Sequence, residues 1–247
     1  MIAVTATAGC GWNVSNSIAW VQITNGASGV GNGTVNFSVV GNTGVRRSAQ
    51  MTVAGQAFTV SQGANFVDVA QDHPFYEEIG KISAAGISLG CDTDGLMYCA
   101  DQAVTREQMA AFIIRALGMF DPPQPSMQRF VDVPPSNLFY RFIEELAVRG
   151  VTLGCSSNGP LYCPTSTVTR EQMAAFIIRA LGQPNPPTPG SQRFADVPPS
   201  NIFYAFIEQM ALQGITLGCN ANGPLYCPTS DVTRAQMAAF LARAFSL

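Results

Sequence analysis

VTREQMAAFIIRALG at residues 104–118 recurs letter for letter at 168–182, and VTRAQMAAFLARAF follows at 232–245, each start 64 residues after the one before. A fixed period of this length marks a tandem array in which each unit buries its apolar face against a neighbour. In the middle copy Met173, Phe176, Ile177, Ala180 and Leu181 fall at the spacing of one helix face, and Gly182 supplies the stop. Thr169 and Gln172 stand as a capping box, the hydroxyl and the side-chain amide each answering a backbone N–H group at the helix start. Thr105 with Gln108 and Thr233 with Gln236 repeat it. Helix physics does not explain Arg106, Arg170 and Arg234, which set a cation in the first turn against the macrodipole at a cost of about 0.3–1 kcal/mol. Two readings of this oddity stand. One is an anionic partner that also profits from the free N–H groups of a helix start. The other is an internal ion pair with Asp68, Asp132 or Asp196, which also occur once per unit.

Outward from these helices, the array opens near residue 65. Phe66-Val67-Asp68-Val69, Phe130-Val131-Asp132-Val133 and Phe194-Ala195-Asp196-Val197 begin the three units, and a first helix follows each. In the second unit Phe139, Phe142, Ile143, Leu146 and Ala147 form its apolar face, and Gly150 suits the left-handed position beyond its C-terminus. A loop bounded by two cysteines leads to the capped second helix. Pro-rich joints at 121–125 and 184–189 connect the units as stiff, extended spacers. Two short helices cannot bury their faces alone, so the units are expected to pack together, as a linear stack or a closed three-way bundle.

Cysteine placement repeats as faithfully as the helices. Cys91 with Cys99, Cys155 with Cys163 and Cys219 with Cys227 occupy identical places, with seven residues between the members of each pair. This spacing is wrong for the short ligand pairs of zinc sites, and a single histidine, His73, cannot complete a metal cluster. Three local disulfides are expected, and with them an oxidising, extracellular compartment. Cys10 is left over and is expected to be buried and free, the alternative being a bridge to another molecule. Asp92-x-Asp94-Gly95 has the start of a calcium loop without its further ligands, so no metal or other cofactor is expected.

Charge excludes other classes. The net charge is −3, from 13 basic and 16 acidic residues, and Lys81 is the one lysine, which leaves no basic patch for nucleic acid and no Walker lysine. The apolar runs are too short for a membrane span. Residues 1–8 have no basic start and no long apolar core, so they are not read as a signal peptide. No nucleophile and carboxylate can be assigned to His73, and no catalytic constellation is found elsewhere, so an enzyme is not expected.

Residues 1–62 have another texture. Val35, Phe37 and Val39 alternate with polar neighbours, as do Met51 with Val53 and Phe58 with Val60, while Asn25-Gly26, Gly31-Asn32-Gly33 and Gly41-Asn42 punctuate them. The pattern predicts a small β-sandwich whose charged side chains are Arg46 and Arg47. Trp12 and Trp20 are read as core aromatics, with a carbohydrate-stacking role as the alternative.

Cys10-Gly11-Trp12, residues 19–23, the glycine-rich turn at 29–33 and residues 54–62 together resemble a BACON-type domain lacking its usual first strand. That resemblance implies an Ig-like sandwich that binds carbohydrate or acts as a spacer, with an open edge available for self-association. From about residue 64 the chain resembles three tandem S-layer homology domains, in the Phe-x-Asp-Val openings, the Gly86-Ile87, Gly150-Val151 and Gly214-Ile215 ends of the first helices, and the Thr-Arg starts of the second. It departs from their pattern where Gln108, Gln172 and Gln236 replace a common glutamate and where Phe75-Tyr76, Phe139-Tyr140 and Phe203-Tyr204 replace a His-Trp pair. The resemblance implies a pseudo-threefold assembly of three units whose grooves bind cell-wall-linked polysaccharide, often acidic, with Arg106, Arg170 and Arg234 lining the grooves; these arginines together with Asp68, Asp132 and Asp196 are the expected polysaccharide-binding residues.

The expected architecture is therefore multidomain: a small all-β sandwich at 1–62, followed by a mainly α-helical array of repeats at 64–126, 127–190 and 191–247. The expected function is extracellular surface attachment through secondary cell-wall polysaccharide or peptidoglycan-linked glycan, with no nucleic acid and no membrane insertion. A structural subunit of a lattice or filament, and the anchoring piece of a larger secreted hydrolase, are the alternatives.

Overall fold

Alternating apolar residues at the start of the chain build strands that pair antiparallel. In the computed structural model, which describes residues 1–156, 159–220 and 224–247, β1 (Ile2–Val4), β5 (Gly33–Val39) and β3 (Val21–Asn25) form one sheet in the order β1-β5-β3. The strands β2 (Gly11–Ser15), β4 (Ser28–Val30), β6 (Arg47–Val53) and β7 (Gln56–Gln62) form a second, in the order β4-β2-β6-β7. Val4, Val21 and Val35 from the first sheet meet Met51, Val53 and Val60 from the second in one core. The Ala54-Gly55 turn between β6 and β7 takes φ of 50° and 79°, the left-handed pair that a two-residue hairpin requires.

Further along, each unit supplies one helix of 9 residues and one of 11. These are α1 (Tyr76–Ala84), α2 (Arg106–Ala116), α3 (Tyr140–Val148), α4 (Arg170–Ala180), α5 (Tyr204–Leu212) and α6 (Arg234–Ala244). The capping box is formed at the start of α2, α4 and α6. Helix α3 packs on α2, α5 on α4, and α1 on α6, so the last unit returns to the first and the ring closes. At its centre the buried Val104 N–H donates to the Val232 carbonyl (2.9 Å), Val168 N–H to Val104 (3.0 Å) and Val232 N–H to Val168 (2.9 Å). Three chain segments thereby satisfy one another in a cycle, which a linear stack has no means to do.

The structure corrects the expectation of a sandwich followed by a mainly α-helical array. Helix accounts for 25% of the described residues and strand for 18%, because most of each 64-residue period is irregular backbone held by cross-links rather than by a helical ladder. Nor are the sheets and the array two bodies in series. Strand β7 contacts α1, Asn65 N–H donates to the Gly44 carbonyl (2.9 Å), and Arg46 Nε donates to the Ala84 carbonyl at the end of α1 (2.9 Å). Cys10 is free, as read, but exposed rather than buried.

Candidate functional site

The cation in the first turn of α2 is explained by what lies across the ring. Arg106 N–H donates to the Ser166 carbonyl and Glu107 N–H to Pro164, both in the next unit, and Gln108 N–H is taken by the Thr105 hydroxyl. These helix-start donors are therefore spent, and no anion is needed to answer them. The guanidinium itself turns into the interface. Arg106 Nε donates to the Tyr162 carbonyl (2.7 Å), while the Tyr162 hydroxyl donates to the Arg106 carbonyl (2.7 Å), a reciprocal pair between neighbouring units. Its plane lies between the Tyr162 and Phe176 rings, at 4.8 and 5.3 Å from their centres. Arg170 repeats this with Tyr226 and Phe240, and Arg234 closes the ring with Tyr98 and Phe112.

Burial lowers the pKa of all three guanidinium groups, and the neighbouring tyrosine and then the aspartate oppose that shift. The ion pair offered as the internal alternative is not formed. Instead the Asp132 carboxylate accepts Tyr162 N–H and Cys163 N–H (2.8 and 2.7 Å), and Asp68 and Asp196 do the same in their units. These bonds hold Cys99, Cys163 and Cys227 in left-handed conformations, φ 57–58°, where each cysteine is joined within its own unit to Cys91, Cys155 or Cys219. Ser157 and Asn158 of the second stapled loop lie outside the described residues. In the first loop the Asp92 carboxylate is occupied by Leu96 and Met97 N–H groups.

Each stapled loop, with the second helix of its own unit, forms a cleft whose far wall comes from the other two units. The first cleft, about 520 Å³, is lined by Arg106, Gly154, Gln172, Phe176, Arg179 and, from the third unit, Phe203. The second, about 260 Å³, has Arg170, Gly218, Gln236, Phe240, Arg243 and Phe75 at the matching places. The third, about 280 Å³, has Arg234, Gly90, Gln108, Phe112, Arg115 and Phe139. Asp68, Asp132 and Asp196 do not line them. Gly154, at φ 93°, offers its carbonyl to Arg106 Nη2 (3.1 Å), and a Cβ there would run into the Leu161 carbonyl. A cleft of about 710 Å³ between the sheets and the first unit is larger, but it lies outside the threefold pattern.

A stretch of 120 residues, 47% of the chain, is 32% identical to a protein named cell surface protein from Thermoanaerobacter kivui, 15% of whose length it covers. A stretch of 137 residues (56% of the chain) is 28% identical to 14% of an endoglucanase from Bacillus sp. (strain KSM-635). Another of 134 residues (53%) is 23% identical to 12% of the middle cell wall protein of Brevibacillus brevis. The chain is similar to short parts of long proteins. It spans 12–15% of the length of these relatives. No family model matches the chain.

Two sets of cleft residues were missed in the sequence. Arg115, Arg179 and Arg243, in the last turn of each second helix, were not singled out, yet they face the clefts and give Nη1 to the carbonyls of Ile87, Val151 and Ile215. Phe75, Phe139 and Phe203 read as core or as the remnant of a motif. Their signal was present in the 64-residue spacing, but that spacing does not say which unit's cleft a residue enters.

Proposed function

We propose that this chain is a non-enzymatic, extracellular attachment module whose three inter-unit clefts bind cell-wall-linked polysaccharide. The observation that carries the reading is the threefold recurrence of a cleft furnished with two guanidinium groups and aromatic rings. Guanidinium groups donate to sugar hydroxyls and acidic substituents in a fixed fork, and aromatic faces pack on the C–H faces of sugar rings. The names of the cell surface and middle cell wall relatives agree with a surface or wall location. So do the three disulfides, and no described helix is long and apolar enough to cross a membrane. On this reading the sheets of residues 1–62 are what the ring presents, and residues 64–126, 127–190 and 191–247 are the binding units.

The test is co-sedimentation of the purified chain with cell-wall sacculi, intact and stripped of their attached polysaccharide. Binding to intact walls and loss of binding to stripped walls is expected, and equal binding to both would overturn the assignment of the polysaccharide as ligand. A second reading has one observation in its favour, the match to 14% of an endoglucanase: the module would then serve as the attachment part of a secreted hydrolase. Sequencing the gene on both sides of the coding region for this chain decides between them.

A further inference from the structure

The three clefts share a plan but differ in charge. At the position of Asp92, which lines the third cleft, the equivalent residues 64 and 128 places on are Ser156 and Asn220. At the position of Glu78 the equivalents are Phe142 and Phe206. The consequence is visible in the second arginine of each cleft. Arg115 and Arg179 lie over the Phe142 and Phe206 rings, at 5.1 and 5.0 Å, whereas Arg243 Nη2 stands 3.5 Å from the Glu78 carboxylate. The second cleft therefore carries a counter-ion for one of its cations, and the third is lined by a carboxylate of its own.

The first cleft has neither. Arg106 Nη1 has no hydrogen-bond partner among the described residues, and Arg179 uses only Nη1, in a 3.5 Å bond to the Val151 carbonyl. Glu171, at the start of the same helix, is held by Asn201 Nδ2 (2.9 Å) and does not line the cleft. Burial pushes the pKa of both guanidinium groups down, so each gains from an added negative charge. The volume of about 520 Å³ lies within the range of about 300–1,000 Å³ usual for small-ligand sites, while the other two clefts fall below it. Leu153, 78% exposed at the rim, and Phe203 across from it offer apolar surface to a sugar ring.

We propose that the first cleft is the one that takes a carboxylate-bearing saccharide, that Glu78 is a built-in counter-ion that keeps the second cleft from taking the same group, and that the Asp92 carboxylate in the lining of the third repels it. The carboxylate accepts from Arg106 and Arg179 together, and the ring of the sugar lies against Leu153 and Phe203. The proposal rests on the polysaccharide-binding reading and assigns the acidic sugar to one of its three clefts.

Digalacturonic acid, with neutral galactobiose as control, is titrated into the full chain. Calorimetry gives the number of sites, and the Nε–H resonances of Arg115, Arg179 and Arg243 report which cleft is filled. One site per chain is expected, with the Arg179 resonance displaced and the other two still. Arg179→Gln should weaken binding about tenfold or more, as loss of a charge-assisted bond does, and should weaken it far more than Arg243→Gln does. Glu78→Gln, at a partly buried position outside the first cleft, should add a second site and bring the Arg243 resonance into play. Three equal sites, equal losses from Arg179→Gln and Arg243→Gln, no gain from Glu78→Gln, or no preference for the acid over galactobiose would each overturn the proposal. Sedimentation of the same proteins with wall sacculi separates the two levels. A chain that binds intact walls while failing these titrations keeps the attachment reading and loses the unequal clefts, and a chain that binds neither loses both.

Discussion

The sheets of residues 2–62 and the closed ring of repeats handle polar groups in opposite ways. The sheets have a small core of Val4, Ile18, Val21, Val35, Met51, Val53 and Val60, and leave their polar side chains to pair on the surface, as Ser48 does with Ser61 (2.9 Å). Their outer strands β1, β3, β4 and β7 end the ladders. The ring has no such edge, and it buries a guanidinium at each of its three interfaces, with Arg106, Arg170 and Arg234 only 3–4% exposed. A buried cation is tolerable there because each unit hands its neighbour the carbonyl oxygens and aromatic faces the charge needs, and cyclic closure leaves no unit without a neighbour. The difference teaches that the arginines read as ligand groups are first of all the bolts of the ring, while the second arginines are the ones free to do more.

The comparison breaks most visibly if a bolt is removed. Arg170→Ala should cost about 3 kcal/mol or more, since it leaves the Tyr226 and Gly218 carbonyls without their donor and a gap between two rings. Urea unfolding followed by far-ultraviolet circular dichroism should show the helical transition moving and the β-sheet signal holding. Reduction of the three disulfides comes next. Each closes a loop with a sequence separation of 8 and should contribute about 2–3 kcal/mol, so a ring that unfolds at the same denaturant concentration with and without reductant would show that the aspartate bonds suffice.

Alkali tests the same interfaces without mutation. Burial pushes the hydroxyls of Tyr98, Tyr162 and Tyr226 far above the ordinary tyrosine value of about 10, the nearby arginine lowering them by less. A group whose folded pKa is raised contributes fully below its unfolded pKa and loses that contribution as pH climbs toward the folded value. The ring should therefore weaken above about pH 10, with tyrosinate absorbance rising in two steps, the second together with loss of helix. One gradual step with helix intact would refute the buried pairing.

Smaller effects sharpen the contrast. Thr169→Ala removes the hydroxyl half of one capping box and should cost about 1 kcal/mol. In the sheets, Arg47→Ala removes a guanidinium 4.6 Å from the Trp20 ring together with a bond to Gln62, and should cost below about 1 kcal/mol because the site is open to water. If Arg47 proved as costly as Arg170, burial would not be what separates the two regions.

Much was legible before any packing was known. The period of 64, the capping boxes at Thr105, Thr169 and Thr233, the apolar faces of α2, α4 and α6, the strands around Val35, Met51 and Val60, and the equivalence of the cysteine pairs all rest on local rules, in which a residue answers a neighbour a few places away. The helical content was overestimated because a strong helix motif repeated three times says nothing about the length of irregular backbone between its copies. Ring closure, the pairing of Arg106 with Tyr162 across 56 residues and of Arg234 with Tyr98 across 136, and the choice of which arginine faces a cleft were settled by packing. Sequence period identifies equivalent residues but not the neighbour each one meets, and here the three arginine-lined clefts and the three buried guanidinium groups are shared between units. The chemistry of the site therefore emerges only when the third unit closes on the first.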